Sequence, residues 1–148
     1  MRLDRYELKA GQNFTTFEFL SEGTRGEIYK IIQFQKMNLP NLYNLAFGDR
    51  NKDTGQFDDK VVTDNGDSEK VLATVVSAIY AFVDIYPEAW VYATGSSSSR
   101  TRLYRMGINK YFNVVKTDFV TMGEIRNEWE EYVVGREYQA FAVKRKNQ

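Results

Sequence analysis

Along the first half of the chain, apolar and polar residues exchange places with a period of two. In FTTFEFLSEG, Phe14, Thr16 and Glu18 alternate with Thr15, Phe17 and Phe19 before a glycine turn, and that spacing predicts a strand. GEIYKIIQFQKM is dense in β-branched and aromatic residues and predicts a second. NLYNLAFGDR, entered from Pro40, predicts a third, and FDDKVVTD a short fourth. Between the last two, NKDTGQ carries the Asp and Gly that tight hairpin turns require. Strands in succession with short connections predict an antiparallel meander.

The period then changes. In DSEKVLATVVSAIYAFVDIYP, Val71, Leu72, Val75, Val76, Ile79, Phe82 and Val83 recur every three or four residues, which predicts one long helix with a broad apolar face over about Ser68–Tyr86. Asn65 or Asp67 is placed to cap its start, and Pro87 stops it at Tyr86. AWVYAT has no polar alternation and predicts a central strand buried on both faces. The serines after it open a second, shorter helix that Gly107 is expected to end, with INKYFNVV adding a turn or two. DFVTMGEI and REYQAFAVKR predict two closing strands, joined by the acidic RNEWEEYVVG. A strand on either side of the long helix implies a crossover between parallel neighbours. The predicted class is α+β: a mixed, mostly antiparallel sheet with a long and a short helix packed on it, as one domain over 1–148.

Composition narrows the chemistry more than the fold. With 43% hydrophobic and 15% aromatic residues among 148, the chain can bury a core. No apolar run approaches the ~20 residues that span a membrane, and the opening MRLDRYELKAGQNF lacks a signal-type apolar segment, so a cytoplasmic protein is expected. Lys plus Arg and Asp plus Glu both number 20, a balance that argues against a nucleic-acid partner. There is no cysteine and no histidine. That removes thiolate chemistry, disulfides, Cys-type zinc sites and a Ser-His-Asp triad within this chain. GDRNKDTGQFDD does not keep the ligand spacing of an EF-hand loop; together with DNGD it reads as turn chemistry, with a divalent cation between the two loops as the alternative, and no metal is expected.

The stretch with most chemical content is ATGSSSSRTRLYRMG, Ala93–Gly107. Gly95, Ser97, Ser98, Ser99, Arg100 and Arg102 combine hydroxyls, amides at a helix start and guanidinium groups, a set that suits an anion such as phosphate. The same residues also suit a solvated turn followed by an arginine-rich helix face. Both readings stand on sequence alone.

The element order over roughly Glu27–Val143 resembles the later part of the GCN5-related N-acetyltransferase fold. That family carries a Gln/Arg-x-x-Gly-x-Gly/Ala loop whose amides hold the pyrophosphate of coenzyme A. The matching stretch here is TDNGDS, with Thr63, Gly66 and Ser68 at the motif positions and Asp64 and Asp67 adding negative charge where the pyrophosphate would lie. Leu103-Tyr104 and Gly107-Ile108 resemble a Leu-Tyr and Gly-Phe pattern in which the tyrosine acts as general acid. Over the whole chain, LYNLAFGD, DNGDSEKVLATV and ATGSSSSRTRLYRMGI together resemble an uncharacterised family of small proteins found mainly in Bacteroidetes.

Three functions follow as expectations. The first is a non-catalytic binding or regulatory module with an acyl-CoA N-acyltransferase-like fold, needing no cofactor, whose partner is a protein or a small phosphorylated ligand held near Ser96–Arg102. The second is a divergent N-acyltransferase using acetyl-CoA, with Tyr104 as acid and Glu18 or Glu27 as base. The third is a single-stranded nucleic-acid binder, which needs Tyr29, Phe34, Tyr43 and Phe47 on one exposed sheet face.

Overall fold

A computed structural model describes residues 4–58, 63–94 and 98–146, with the backbone alone described over 98–103. The strands are β1 (Lys9–Ala10), β2 (Thr16–Gly23), β3 (Gly26–Lys36), β4 (Leu42–Arg50), β5 (Phe57–Asp58), β6 (Trp90–Ala93), β7 (Phe119–Ile125), β8 (Glu128–Glu131) and β9 (Ala140–Arg145). The helices are α1 (Ser68–Ile85) and α2 (Ser98–Asp118). One sheet has the order β1-β2-β3-β4-β6-β9-β7-β8, and β5 pairs the far end of β4. Every pairing is antiparallel except β4 with β6. The α+β class, the meander and the parallel crossover through α1 all follow the pattern read from sequence. Among the described residues, no helix is long and apolar enough to cross a membrane.

The period of two sorts the sheet into faces. Phe17 and Phe19 of β2, Ile32 and Phe34 of β3, and Leu45 and Phe47 of β4 are all buried beneath the helices. The α1 stripe meets them, with Phe82 stacked on Phe34 at 4.1 Å between ring centroids. Val71, Leu72, Val75, Phe82 and Val83 are buried as their spacing requires, while Val76 and Ile79 are half-buried.

Three expectations are corrected, and a fourth is described only in part. The second helix is not short. It runs 21 residues to Asp118 and passes straight through Gly107. That glycine is a contact between helices: a Cβ there would lie 2.9 Å from Leu72 Cδ2. Its cost of about 1 kcal/mol in a helix interior is offset by letting α2 approach α1. β6 is buried on one face only, with Val91 and Ala93 under the helices and Trp90 and Tyr92 half-buried on the other side. The acidic connection RNEWEEYVVG contains a strand, β8, paired with β7 through Glu124↔Trp129 and Met122↔Glu131. Of the short fourth strand only Phe57–Asp58 is seen as strand, because 59–62 lie outside the described residues.

Candidate functional site

The two helices and the sheet enclose an apolar cavity of about 70 Å³. Leu72, Val75, Val76, Ile79 and Tyr80 of α1 form one wall, and Tyr104, Gly107, Ile108 and Val115 of α2 form another. Leu45, Val91, Ala93, Phe119, Phe141 and Val143 close it from the sheet. The cavity sits where the two parallel strands part. β4 and β6 pair over Leu42↔Trp90, Tyr43↔Val91 and Asn44↔Tyr92 only. Beyond that point β4 takes β5 as its partner, at Asp49 and Arg50. A water needs roughly 10–15 Å³ of such volume and a benzene-holding cavity has ~150 Å³. The space therefore admits a short alkyl group but not a ring.

Two phenols stand in this wall. Tyr80 donates its hydroxyl to Asp118 Oδ2 at 2.6 Å. Burial, and then that carboxylate, push its pKa well above the usual tyrosine value. Tyr104 is 6% exposed and lines the cavity directly. The bases named for it are elsewhere. Glu18 pairs Ile31 on β3, one residue out of phase with the buried Phe17 and Phe19, and its carboxylate is 2.6 Å from Arg50. Glu27 is exposed in the β2–β3 hairpin. Neither borders the cavity, so the sequence-based acid–base pair is not brought together. Period two is the reason, since it sends Glu18 to the sheet face away from the helices.

The anion-binding candidates lie largely beyond the described residues. Gly95, Ser96 and Ser97 are outside them, and for Ser98, Ser99, Arg100 and Arg102 only helical backbone is described. One fact about this segment is clear: it connects Ala93 to Tyr104, both of which line the cavity.

The TDNGDS loop is a clasp, with Thr63, Asn65, Gly66 and Asp67 all bonded inside the chain. Thr63 donates its amide to Asp49 at 3.2 Å and accepts from Lys30 Nζ at 2.7 Å. Gly66, at φ +76°, donates to Asp64 Oδ1 at 2.9 Å. Ser68 begins α1 and is exposed. Asp67 holds the N-cap position without capping, because its Oδ2 accepts instead from Tyr6 at 2.5 Å and Ser21 at 2.6 Å. Burial, followed by the bond to Asp67, raises the Tyr6 pKa. Asn65 is 1% exposed and donates to Ser21 and to the Gly26 carbonyl, while its own side-chain oxygen accepts from the Arg25 amide. Its backbone carries the clasp further: a Cβ on Gly23 would fall 2.0 Å from the Asn65 carbonyl. Carboxylates of the chain itself thus occupy two of the loop's amide donors, those of Thr63 and Gly66.

Sequence reasoning missed the buried ion pair beneath this loop. Lys30 is 1% exposed, faces Asp49 across the β3–β4 ladder, and binds it at 2.5 Å. The signal was present in Ile28-x-Lys30-x-Ile32-x-Phe34, which puts the lysine in phase with three core residues. A third buried polar group was also missed: Tyr132, directly after β8, donates to Asn109 Oδ1 of α2, and burial pushes its phenol up to about 12.

The aromatic set proposed for stacking on nucleic acid is divided by the fold. Phe34 and Phe47 are core residues, Tyr43 packs against Phe82 and Tyr86, and Tyr29 alone is exposed, on the opposite face. Parity decides this: position 29 is out of phase with 34 along β3. Among the described residues no group of three or more carboxylates is placed to hold a metal ion.

The chain belongs to a family of unknown function, DUF6934, whose model matches residues 2–146. No curated protein and no solved structure matches it.

Proposed function

We propose that this member of a family of unknown function is a non-catalytic binding module for a small amphiphilic ligand. The ligand's apolar end occupies the cavity between α1, α2 and the sheet, and its anionic end meets the serine- and arginine-rich segment Ser96–Arg102. The observation that carries this reading is the cavity at the parting of β4 and β6, walled by apolar side chains and bordered at Ala93 and Tyr104 by the two ends of that segment. The strand order, with one parallel pair at its centre, supports an acyl-CoA N-acyltransferase-like architecture. Catalysis is less well supported, because neither Glu18 nor Glu27 borders the cavity beside Tyr104 and the Thr63 and Gly66 amides are engaged internally.

Thermal unfolding with n-butyl phosphate, inorganic phosphate and n-butanol tests the reading. Butyl phosphate should raise the midpoint more than either half alone, with about 2.7 kcal/mol expected at 100 times its Kd. Amide shifts should fall in residues 91–104. No response to any of the three overturns the proposal. A midpoint raised by acetyl-CoA, with acyl transfer to an amine, would replace it with the acyltransferase reading.

A further inference from the structure

We propose that Tyr80 is the floor of the cavity and sets the length of the ligand, so that the ligands are phosphate esters of alkyl groups of about three to four carbons and longer chains are excluded. This rests on the binding-module reading above. The cavity has two ends. β6 and β7 are both antiparallel to β9 and so run parallel to each other, as β4 and β6 do. α1 lies between β4 and β6 in the chain, and α2 between β6 and β7. Both helices therefore run back against the strands and parallel to one another. Toward their N-terminal ends they supply Leu72, Tyr104 and Gly107, beside Ala93 of the sheet. Toward their C-terminal ends they supply Ile79, Tyr80 and Val115, beside Phe119. Helix N-termini favour negative charge, which directs an anionic head to the Ala93 end and the alkyl group toward Tyr80.

Tyr80 is held on three sides. Its hydroxyl donates to Asp118 Oδ2 at 2.6 Å, at the last residue of α2. Its ring meets Phe119, the first residue of β7, edge-on at 5.0 Å between centroids. The Arg145 guanidinium of β9, itself 3.2 Å from Asp84, lies 5.7 Å from the ring centroid. Ile79 and Val115 at the same end have no polar atom by which to be anchored. The volume sets the limit. A cavity of about 150 Å³ holds the six carbons of benzene, or about 25 Å³ per carbon. The 70 Å³ between the helices then takes about three carbons, with a fourth reaching the Ala93 end. Added methylenes in a packed interior force side chains off their rotamers. A longer chain must therefore displace the Tyr80 ring, against its bond to Asp118, or leave its extra carbons in water.

Calorimetric titration of the full chain with methyl, ethyl, propyl, butyl and hexyl phosphate tests the limit. Affinity is expected to rise about fourfold per carbon as far as butyl, the worth of one buried methylene, and to gain nothing from butyl to hexyl. Tyr80→Leu and Tyr80→Met remove the ring and its anchor. Each should move the break beyond butyl, so that hexyl phosphate binds about tenfold tighter than to the parent while methyl phosphate binds equally to both. Circular dichroism identifies a variant that unfolds, and the other then decides. Affinity that climbs through hexyl on the parent overturns the length limit, as does a break at butyl that neither substitution moves. In both cases the binding module itself stands. No binding of any ester overturns the binding-module reading, and the length limit with it.

Discussion

Lys30→Met is expected to remove about 3–5 kcal/mol of stability, the usual cost of breaking one side of a buried ion pair. Lys30 lies 5.9 Å from the Phe47 ring centroid and binds both Asp49 and the Thr63 carbonyl. Methionine replaces the stem but not the ammonium. Asp49, 7% exposed, is then left buried with the Thr63 amide as its described donor. Set against a typical total of ~5–15 kcal/mol, this is about a fifth or more of the fold's stability. The double change Lys30→Met/Asp49→Leu should recover most of the loss, because burying two apolar side chains in place of an ion pair is often neutral or better. Thr63 is half-exposed, so water can take over its amide and carbonyl in the double variant. Urea unfolding followed by tryptophan fluorescence measures both, and the slope with denaturant should stay constant if only stability changes. A single variant within about 0.5 kcal/mol of the parent, the range of a surface change, would refute the reasoning. So would a double variant no more stable than the single.

Four further outcomes are expected. Val75→Asp should unfold the chain, seen by circular dichroism, because Val75 is 4% exposed and an unpaired buried carboxylate costs several kcal/mol. Gly107→Val should cost about 1–3 kcal/mol through overpacking against Leu72, and its combination with Leu72→Ala should cost less than the sum of the two in urea unfolding. Ala93→Leu should abolish the response to butyl phosphate and add up to about 1.7 kcal/mol, from 24 cal/mol per Å³ over the 70 Å³ cavity; unchanged ligand response would place binding elsewhere. Stability should fall as pH rises from 10 to about 12, because the unfolded Tyr132 ionises near 10.0 while burial holds the folded phenol neutral to about 12. The neutral phenol's contribution is fully present below pH 10 and is lost through that window at about 1.4 kcal/mol per pH unit, and Tyr132→Phe should flatten the slope.

Local pattern carried the elements with strong periodicity. Phe17 and Phe19, Ile32 and Phe34, and the Val71–Val83 stripe were legible because each burial face repeats at the period of its own backbone, two for a strand and 3.6 for a helix. The same rule already held the burial of Lys30 and the outward turn of Tyr29 and Glu18. The crossover was legible from the strand–helix–strand order, since parallel neighbours need a connection of that length.

Other features depend on contacts distant in sequence. Gly107 ends helices as readily as it lets them touch, and only Leu72 across the gap makes it a packing residue. β8 has too few apolar residues to announce itself and exists through its ladder with β7. The TDNGDS loop reads locally as turn and cap chemistry, yet Tyr6 and Ser21 draw Asp67 away from the helix start. The cavity has no sequence signature at all, because it is the space left where β4 and β6 part beneath two helices. Sequence by itself determined which residues seek burial and with what period, since backbone geometry dictates that residue by residue. Tertiary structure alone decided which buried groups meet, because partners such as Tyr6 and Asp67 or Leu72 and Gly107 are chosen by packing of distant segments and not by any local preference.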